Sequence, residues 1–451
     1  MEEFSKDYNN FIPNLVNHNI YFILSLVIVI FIIFSVMTWV FYTLNKKNAA
    51  CKKLDTIYLD TNHKTSSFFI SSDVKANAKK INNPTNFFDD KNESLFKNYY
   101  IKTAYNACCG DGYKNNFVNI CALKKCIELG ARCLDFEIYS YNGEPIVAAS
   151  TANNNSIKET YNYIKLYKLF QLLNSYSFDP QYTSCANDPM FLHFRIMSEN
   201  RVIYDKFGEY IEEYLLNDNS TNILDINKYN YKNADQNFLL LSNLGSHSIF
   251  SKKFIIMVNT LHVPILDKSK LSKYVHIRSG SNTCRLIRYE NVVAAGTNNA
   301  MMIDESLRSL IIVLPNINNE LSNYDPILPL NNGCQFVGMK FQNMDNNLLG
   351  YYKMFKDYGG FSFILKPINL RNNIQNIIQS GETISADSHT VLGLGLSAGE
   401  VGAEANELLV QGDDAGLLDA AARTTSTTAQ TTSTTAQEHG TAGAGLVQSH
   451  Y

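Results

Sequence analysis

From Ile20 to Leu44 the chain reads IYFILSLVIVIFIIFSVMTWVFYTL, with no charged side chain. A helix rises about 1.5 Å per residue, so this stretch covers a hydrocarbon layer of about 30 Å with some tilt to spare. It is too long for a signal-peptide core, and no small-residue cleavage site follows it. As a core helix it would need apolar walls on every side. Tyr21, Trp39 and Tyr42 lie near its ends, where amphipathic rings favour the membrane interface. The stretch therefore predicts one transmembrane helix over 20–44, after a short segment 1–19, and a lipid membrane as partner. Glu2, Glu3, Lys6 and Asp7 precede it, and Lys46, Lys47, Lys52 and Lys53 follow. The positive-inside tendency predicts a single-pass protein whose large C-terminal part faces the cytosol. Glycosylation sequons at Asn92, Asn154 and Asn219 matter only for the opposite topology.

Composition narrows the remainder. A chain of 451 residues with 45% hydrophobic and 12% aromatic residues can bury a large core. A net charge of −3 offers no basic excess to neutralise phosphates, so no nucleic-acid partner is expected. Nine cysteines, two of them adjacent at Cys108 and Cys109, have no regular spacing. That argues against a disulfide framework and predicts buried, reduced thiols, in keeping with a cytosolic barrel. Cys121, Cys126 and Cys133 lack the CxxC or paired histidines of a metal cluster. Richness in Asn, Ile, Lys and Tyr suggests an AT-rich genome, that of a protist or a large DNA virus.

Residues 45–97 are polar and read as a stalk. From 98 to 371, short apolar runs alternate with helical or polar stretches. The runs are 101–108, 131–139, 144–150, 190–196, 252–259, 283–289, 309–315 and 334–342. Near-continuous apolar runs of strand length mark strands buried on both faces of a parallel sheet. Helical spacing appears between them over 116–129, 157–173 and 204–216. The pattern predicts an α/β fold, a (β/α)8 barrel, although doubly wound sheets share the signal. Residues 372–451 turn to Ala, Gly and Thr, with the direct repeat TTSTTAQTTSTTAQ over 424–437, and read as a disordered tail.

The stretches SNYDPILPLNNGCQFVGMKFQ (322–342) and GGFSFILKPINLR (359–371) resemble the end of the Y-box of phosphoinositide-specific phospholipase C. The shared features are Ser-Asn-Tyr-x-Pro, Gly-Cys-Gln, Phe-Gln and the closing Gly-Gly-x-x-x-x-Leu-Lys-Pro-x-x-Leu-Arg. Leu330 stands where the family has a tryptophan. TAYNAC (103–108), GARCLDFEIYSYNGEPIVAAS (130–150) and DPMFLHFRI (188–196) are similar to the X-box, and KLSKYVHIRS (270–279) to the Y-box opening. The resemblance implies a distorted TIM barrel over 98–371, X-like over 98–262 and Y-like over 266–371. It also implies a calcium-dependent phosphoric diester hydrolase with two catalytic imidazoles.

Residue by residue, the implied site is depleted. Asn106, Asp135 and Glu137 fall on calcium-ligand positions, and the fourth ligand position holds Arg195. A guanidinium there repels a divalent cation and can pair with both carboxylates, replacing the metal internally. The imidazole positions hold Tyr105 and Ala149. His193 reads as a satisfied core histidine. Family lysines appear as Met257 and Asn259, and an Arg-x-Tyr-Pro segment as Ile312, Val313, Leu314 and Pro315. The expectation is a catalytically inactive binding or structural module with no cofactor, whose partner is a phosphoinositide headgroup or a protein. The alternatives are a divergent calcium-dependent phosphodiesterase using His193, His247 or His262, and a membrane component of a viral particle.

Overall fold

A computed structural model describes residues 2–56, 96–152, 157–216, 222–233, 250–358 and 360–371. The sequons, His247, most of the expected stalk and the tail from 372 lie outside these residues.

Near-continuous apolar sequence becomes strand wherever both faces are covered. Seven parallel pairings join eight strands in the order β7-β6-β5-β2-β1-β10-β9-β8, a nearly closed barrel whose ends are β7 and β8. The strands are β1 (Tyr99–Ala104), β2 (Cys133–Tyr141), β5 (Met190–Ile196), β6 (Phe254–Thr260), β7 (Ile277–Arg278), β8 (Cys284–Arg288), β9 (Leu310–Leu314) and β10 (Phe336–Met339). All residues of β1, β5 and β9 are buried, as strands packed between a barrel interior and outer helices must be.

Three strands lie off the barrel. β3 (Glu144–Ala148) folds back antiparallel on β2, β4 (Ile164–Lys165) pairs with β3, and β11 (Phe363–Leu365) pairs antiparallel with β1. Of the eight apolar runs, 144–150 is therefore a hairpin arm, and the two-residue β7 supplies the missing barrel strand. The arm reads like a barrel strand because its residues Pro145–Ala148 are buried too.

The helices follow the apolar spacing. α2 is Ile120–Glu128, α3 is Leu166–Tyr176 and α4 is Arg201–Leu215. α3 buries Leu166, Leu169, Phe170 and Leu173, one face of a 3.6-residue period. α5 (Val263–Lys268) follows β6, α6 (Tyr289–Ala295) and α7 (Ala300–Arg308) follow β8, and α8 (Ile327–Asn331) and α9 (Asn346–Asp357) flank β10.

The motif residues near β10 prove to be barrel fasteners. Gln335 donates to the carbonyls of Lys97 and Ser306 and accepts from Ile311 N–H, tying β10 to β9. Asn323 accepts from Lys340 N–H at 2.6 Å and donates to the carbonyls of Lys340 and Asn343. Gly333 has φ +75°, and a Cβ there would meet Ser306 Oγ at 2.2 Å.

The N-terminal helix α1 runs from Glu2 to Asp55, well beyond the apolar stretch, so the segment expected as stalk begins as helix. It is long and apolar enough to cross a membrane, and none of its most apolar window is covered by protein. Past that window it docks on the barrel, where Leu54 is buried and Cys51 is disulfide-bonded to Cys121 of α2. This corrects the expectation of nine reduced thiols; the other seven are buried and form no disulfide. The spacing gave no hint of the bond because the two cysteines are 70 residues apart.

Candidate functional site

Strand parity and register assemble the central cluster. Asp135 and Glu137 are two apart on β2, so both face the barrel interior. β5 lies beside β2 with His193 opposite Asp135 and Arg195 opposite Glu137. β1 ends just before Tyr105. Asn106 follows with φ +44°, a left-handed conformation that asparagine tolerates. That turn aims both its backbone N–H and its side-chain amide at the carboxylates.

Arg195 binds both acids. Its Nε donates to Asp135 Oδ1 at 2.9 Å, and one terminal nitrogen donates to Asp135 Oδ2 at 2.8 Å and Asn106 Oδ1 at 2.9 Å. The other terminal nitrogen donates to Glu137 Oε1 at 3.0 Å. His193 Nδ1 lies 2.8 Å from Asp135 Oδ1, and Asn106 N–H reaches Asp135 Oδ2 at 3.2 Å. Glu137 also accepts from Asn106 Nδ2 at 3.0 Å, Tyr139 OH at 2.7 Å and Ser150 N–H at 3.0 Å. Each carboxylate thus accepts four hydrogen bonds, the capacity of its lone pairs.

The whole group is sequestered: Asn106, Asp135, Glu137, His193 and Arg195 are each at most 3% exposed. Burial pushes the Asp135 carboxyl up, but Arg195 and His193 outweigh it and hold it well below the carboxylate range. Burial opposes the charge of Arg195, and the two acids more than restore it, so its proton is held more tightly than usual.

Tyr105 stands over the group with its ring 5.1 Å from the guanidinium carbon, and burial raises its phenol. The Tyr113 ring packs edge-on against it at 5.6 Å, and Lys340 Nζ lies 6.0 Å from the centre of the Tyr113 ring. Ala149 is fully buried just after β3 and offers no proton chemistry.

Of the other positions read from sequence, Met257 lies beside His193 and Asn259 beside Arg195 across the β5–β6 pairing. Asn259 Nδ2 donates to Ser279 O at 3.1 Å. Ile312, Val313 and Leu314 are buried strand residues of β9. His262 stands half-buried at the start of α5.

Sequence reasoning missed Ser279, Tyr139, Ser150 and Arg288. Tyr139 alone carried a signal, two residues past Glu137 on the same strand. Ser279 Oγ lies 2.8 Å from His193 Nε2, so Ser279, His193 and Asp135 form a chain with the outline of a nucleophile relay. Ser279 is 3% exposed, and the next two backbone N–H groups, of Gly280 and Ser281, both donate to Cys284 O, so neither is open to an oxyanion. Arg288 enters from β8, donates to Pro315 O at 3.0 Å, and its charge is felt by the Tyr105 phenol.

No family model and no curated protein matches this chain. Among solved structures it is similar to L. pealei PLC21, with TM-score 0.45 and 15% identity over 64% of this chain and 40% of that one. It is also similar to S. officinalis PLC21, with TM-score 0.48 and 16% identity over the same shares. The chain therefore spans two fifths of the length of those two structures. A third is a calcium-dependent phosphoinositol-specific phospholipase C from Pseudomonas sp., with TM-score 0.36 and 9% identity over 62% of this chain and 98% of that chain.

Proposed function

We propose that this chain is a membrane-anchored, phospholipase C-like barrel that no longer carries out phosphodiester cleavage and serves as a binding or structural module. The observation that carries this reading is the saturation of Asp135 and Glu137, whose lone pairs all point at N–H or O–H donors. Calcium takes six to eight oxygen ligands. Two saturated carboxylates with a guanidinium at the fourth ligand position do not fit it, and Arg195 supplies the positive charge instead.

The positions that need imidazoles hold Tyr105 and Ala149. A phenol raised above its ordinary value by burial is a poor proton shuttle at neutral pH, and alanine is none. Each general acid or base is worth about 10²–10⁴ in rate. Membrane attachment through Ile20–Leu44 is supported by the exposure of that apolar surface, for example Phe31 at 69% and Phe34 at 68%. A phosphoinositide headgroup or a protein partner, and a place in a viral membrane, are compatible with such a module.

Full-length protein in phosphatidylinositol liposomes with millimolar calcium tests the reading. Inositol phosphate should not be released above the protein-free blank. Release that disappears on chelation refutes it.

A further inference from the structure

One disulfide occurs among the described residues, and it joins the end of α1 to the barrel through Cys51 and Cys121. It sits within a packed junction. Leu54 of α1 is buried, and Asn119 Nδ2 donates to Lys47 O at 3.5 Å. A Cβ on Gly110 would come within 3.3 Å of Ala50 and 3.6 Å of Leu54. Further up the helix, the Trp39 ring meets the Tyr161 ring at 6.4 Å, nearly perpendicular. The C-terminal part of α1 and the barrel are thus packed together.

Disulfides persist where the compartment is oxidising and are rare where glutathione and thioredoxin keep thiols reduced. The remaining seven cysteines are buried, which shields them from the same oxidants. Three glycosylation sequons, at Asn92, Asn154 and Asn219, all follow the apolar stretch in sequence.

We propose that Cys51–Cys121 forms in the working protein and that the barrel lies on the oxidising side of its membrane, opposite to the side expected from the lysine flank. The flank rule is a bias of short loops, whereas large domains cross largely regardless of charge. In forming the bond, the two thiols lose two protons and two electrons to a protein disulfide of the exchange machinery, which leaves as a dithiol. This inference is independent of the catalytic reading.

The test is translation of the full chain into endoplasmic-reticulum vesicles. The barrel should resist protease added outside, and denatured, unreduced chains should accept seven maleimide–polyethylene glycol adducts, rising to nine after reduction. The Cys51→Ser chain should accept eight adducts both before and after reduction. Digestion of the barrel by external protease, or nine adducts on the unreduced native sequence, overturns the proposal.

Discussion

Replacing Arg195 with methionine keeps much of the side-chain volume and removes the cation. Asp135 would keep two donors, His193 Nδ1 and Asn106 N–H, and Glu137 would keep three, from Asn106, Tyr139 and Ser150. Both acids are at least 98% buried, so neither can recover hydration. Breaking a buried pair from one side costs about 3–5 kcal/mol, because the remaining charge is left uncompensated. For a barrel of this size that corresponds to a fall in Tm of about 5–9 °C. The deficit should also depend on pH. In the native protein the Asp135 carboxyl is held below its unfolded value, so its contribution is present above about pH 3.9 and lost as pH falls through the lower folded value. Without Arg195, burial would be opposed by His193 and the Asn106 N–H alone, so the folded value should rise past the unfolded one. The carboxylate then costs stability at pH 7, and protonation relieves that cost as pH falls toward the unfolded value. Thermal unfolding of detergent-solubilised full-length protein, followed by tyrosine fluorescence, should show the largest deficit at pH 7 and a smaller one near pH 4.5. A loss of less than about 2 °C at pH 7, or a deficit that grows on acidification, would refute the pairing argument.

Arg195→Glu puts a carboxylate at the proposed fourth ligand position, and its stability should fall in chelator and recover in calcium, by about 2.7 kcal/mol at a hundredfold excess over Kd. Native protein should show no such calcium dependence, and a variant equally indifferent would sink the idea that Arg195 occupies a cation's place. His276 is fully buried and pushed down to about 4 by burial, with Nδ1 accepting from Ile256 N–H. Its folded value lies below the unfolded one, so stability should fall as pH drops from about 6.5 to 4, by on the order of 3 kcal/mol. His276→Gln should flatten that limb in a pH series of denaturant melts. Gly208 of α4 lies against the Lys270 backbone, where a Cβ would sit 2.7 Å from the carbonyl carbon. Gly208→Ala should cost about 1–3 kcal/mol in the same melts, and an unchanged midpoint would contradict the close approach.

What the sequence disclosed follows from how each element is buried. β5 and β9 are legible because every residue in them is covered, which leaves an uninterrupted apolar run in β9 and one broken only by His193 and Arg195 in β5. β7 was not, since two residues carry no periodicity, and the hairpin arm Glu144–Ala148 took its place because a covered hairpin shows the same apolar content. Asp135 and Glu137 shared a face by strand parity, and Arg195 met them as charge complementarity demands. His193 was read as a satisfied core residue, and it is fully buried with both ring nitrogens engaged. That Asp135 is its partner depends on the β2–β5 register, which sequence does not specify. Ser279 depends on β7, so it was lost with that strand. The disulfide depends on α1 continuing to Asp55, a continuation that the polar composition after Leu44 concealed.

The arginine and the cover above it belong to one arrangement. A guanidinium that saturates two acids still needs its faces shielded, and Tyr105 shields one with its ring at 5.1 Å. Tyr105 is covered by Tyr113, and Tyr113 by Lys340, so the stack runs from the buried ion pair outward to a cation bonded to the carbonyls of Glu320 and Ser322. The turn bearing Tyr113 also contains Gly110, which packs on Ala50 and Leu54 of α1, and it leads into α2, where Cys121 is cross-linked to Cys51. Lifting Tyr113 from Tyr105 would therefore disturb the same turn that packs on the end of α1.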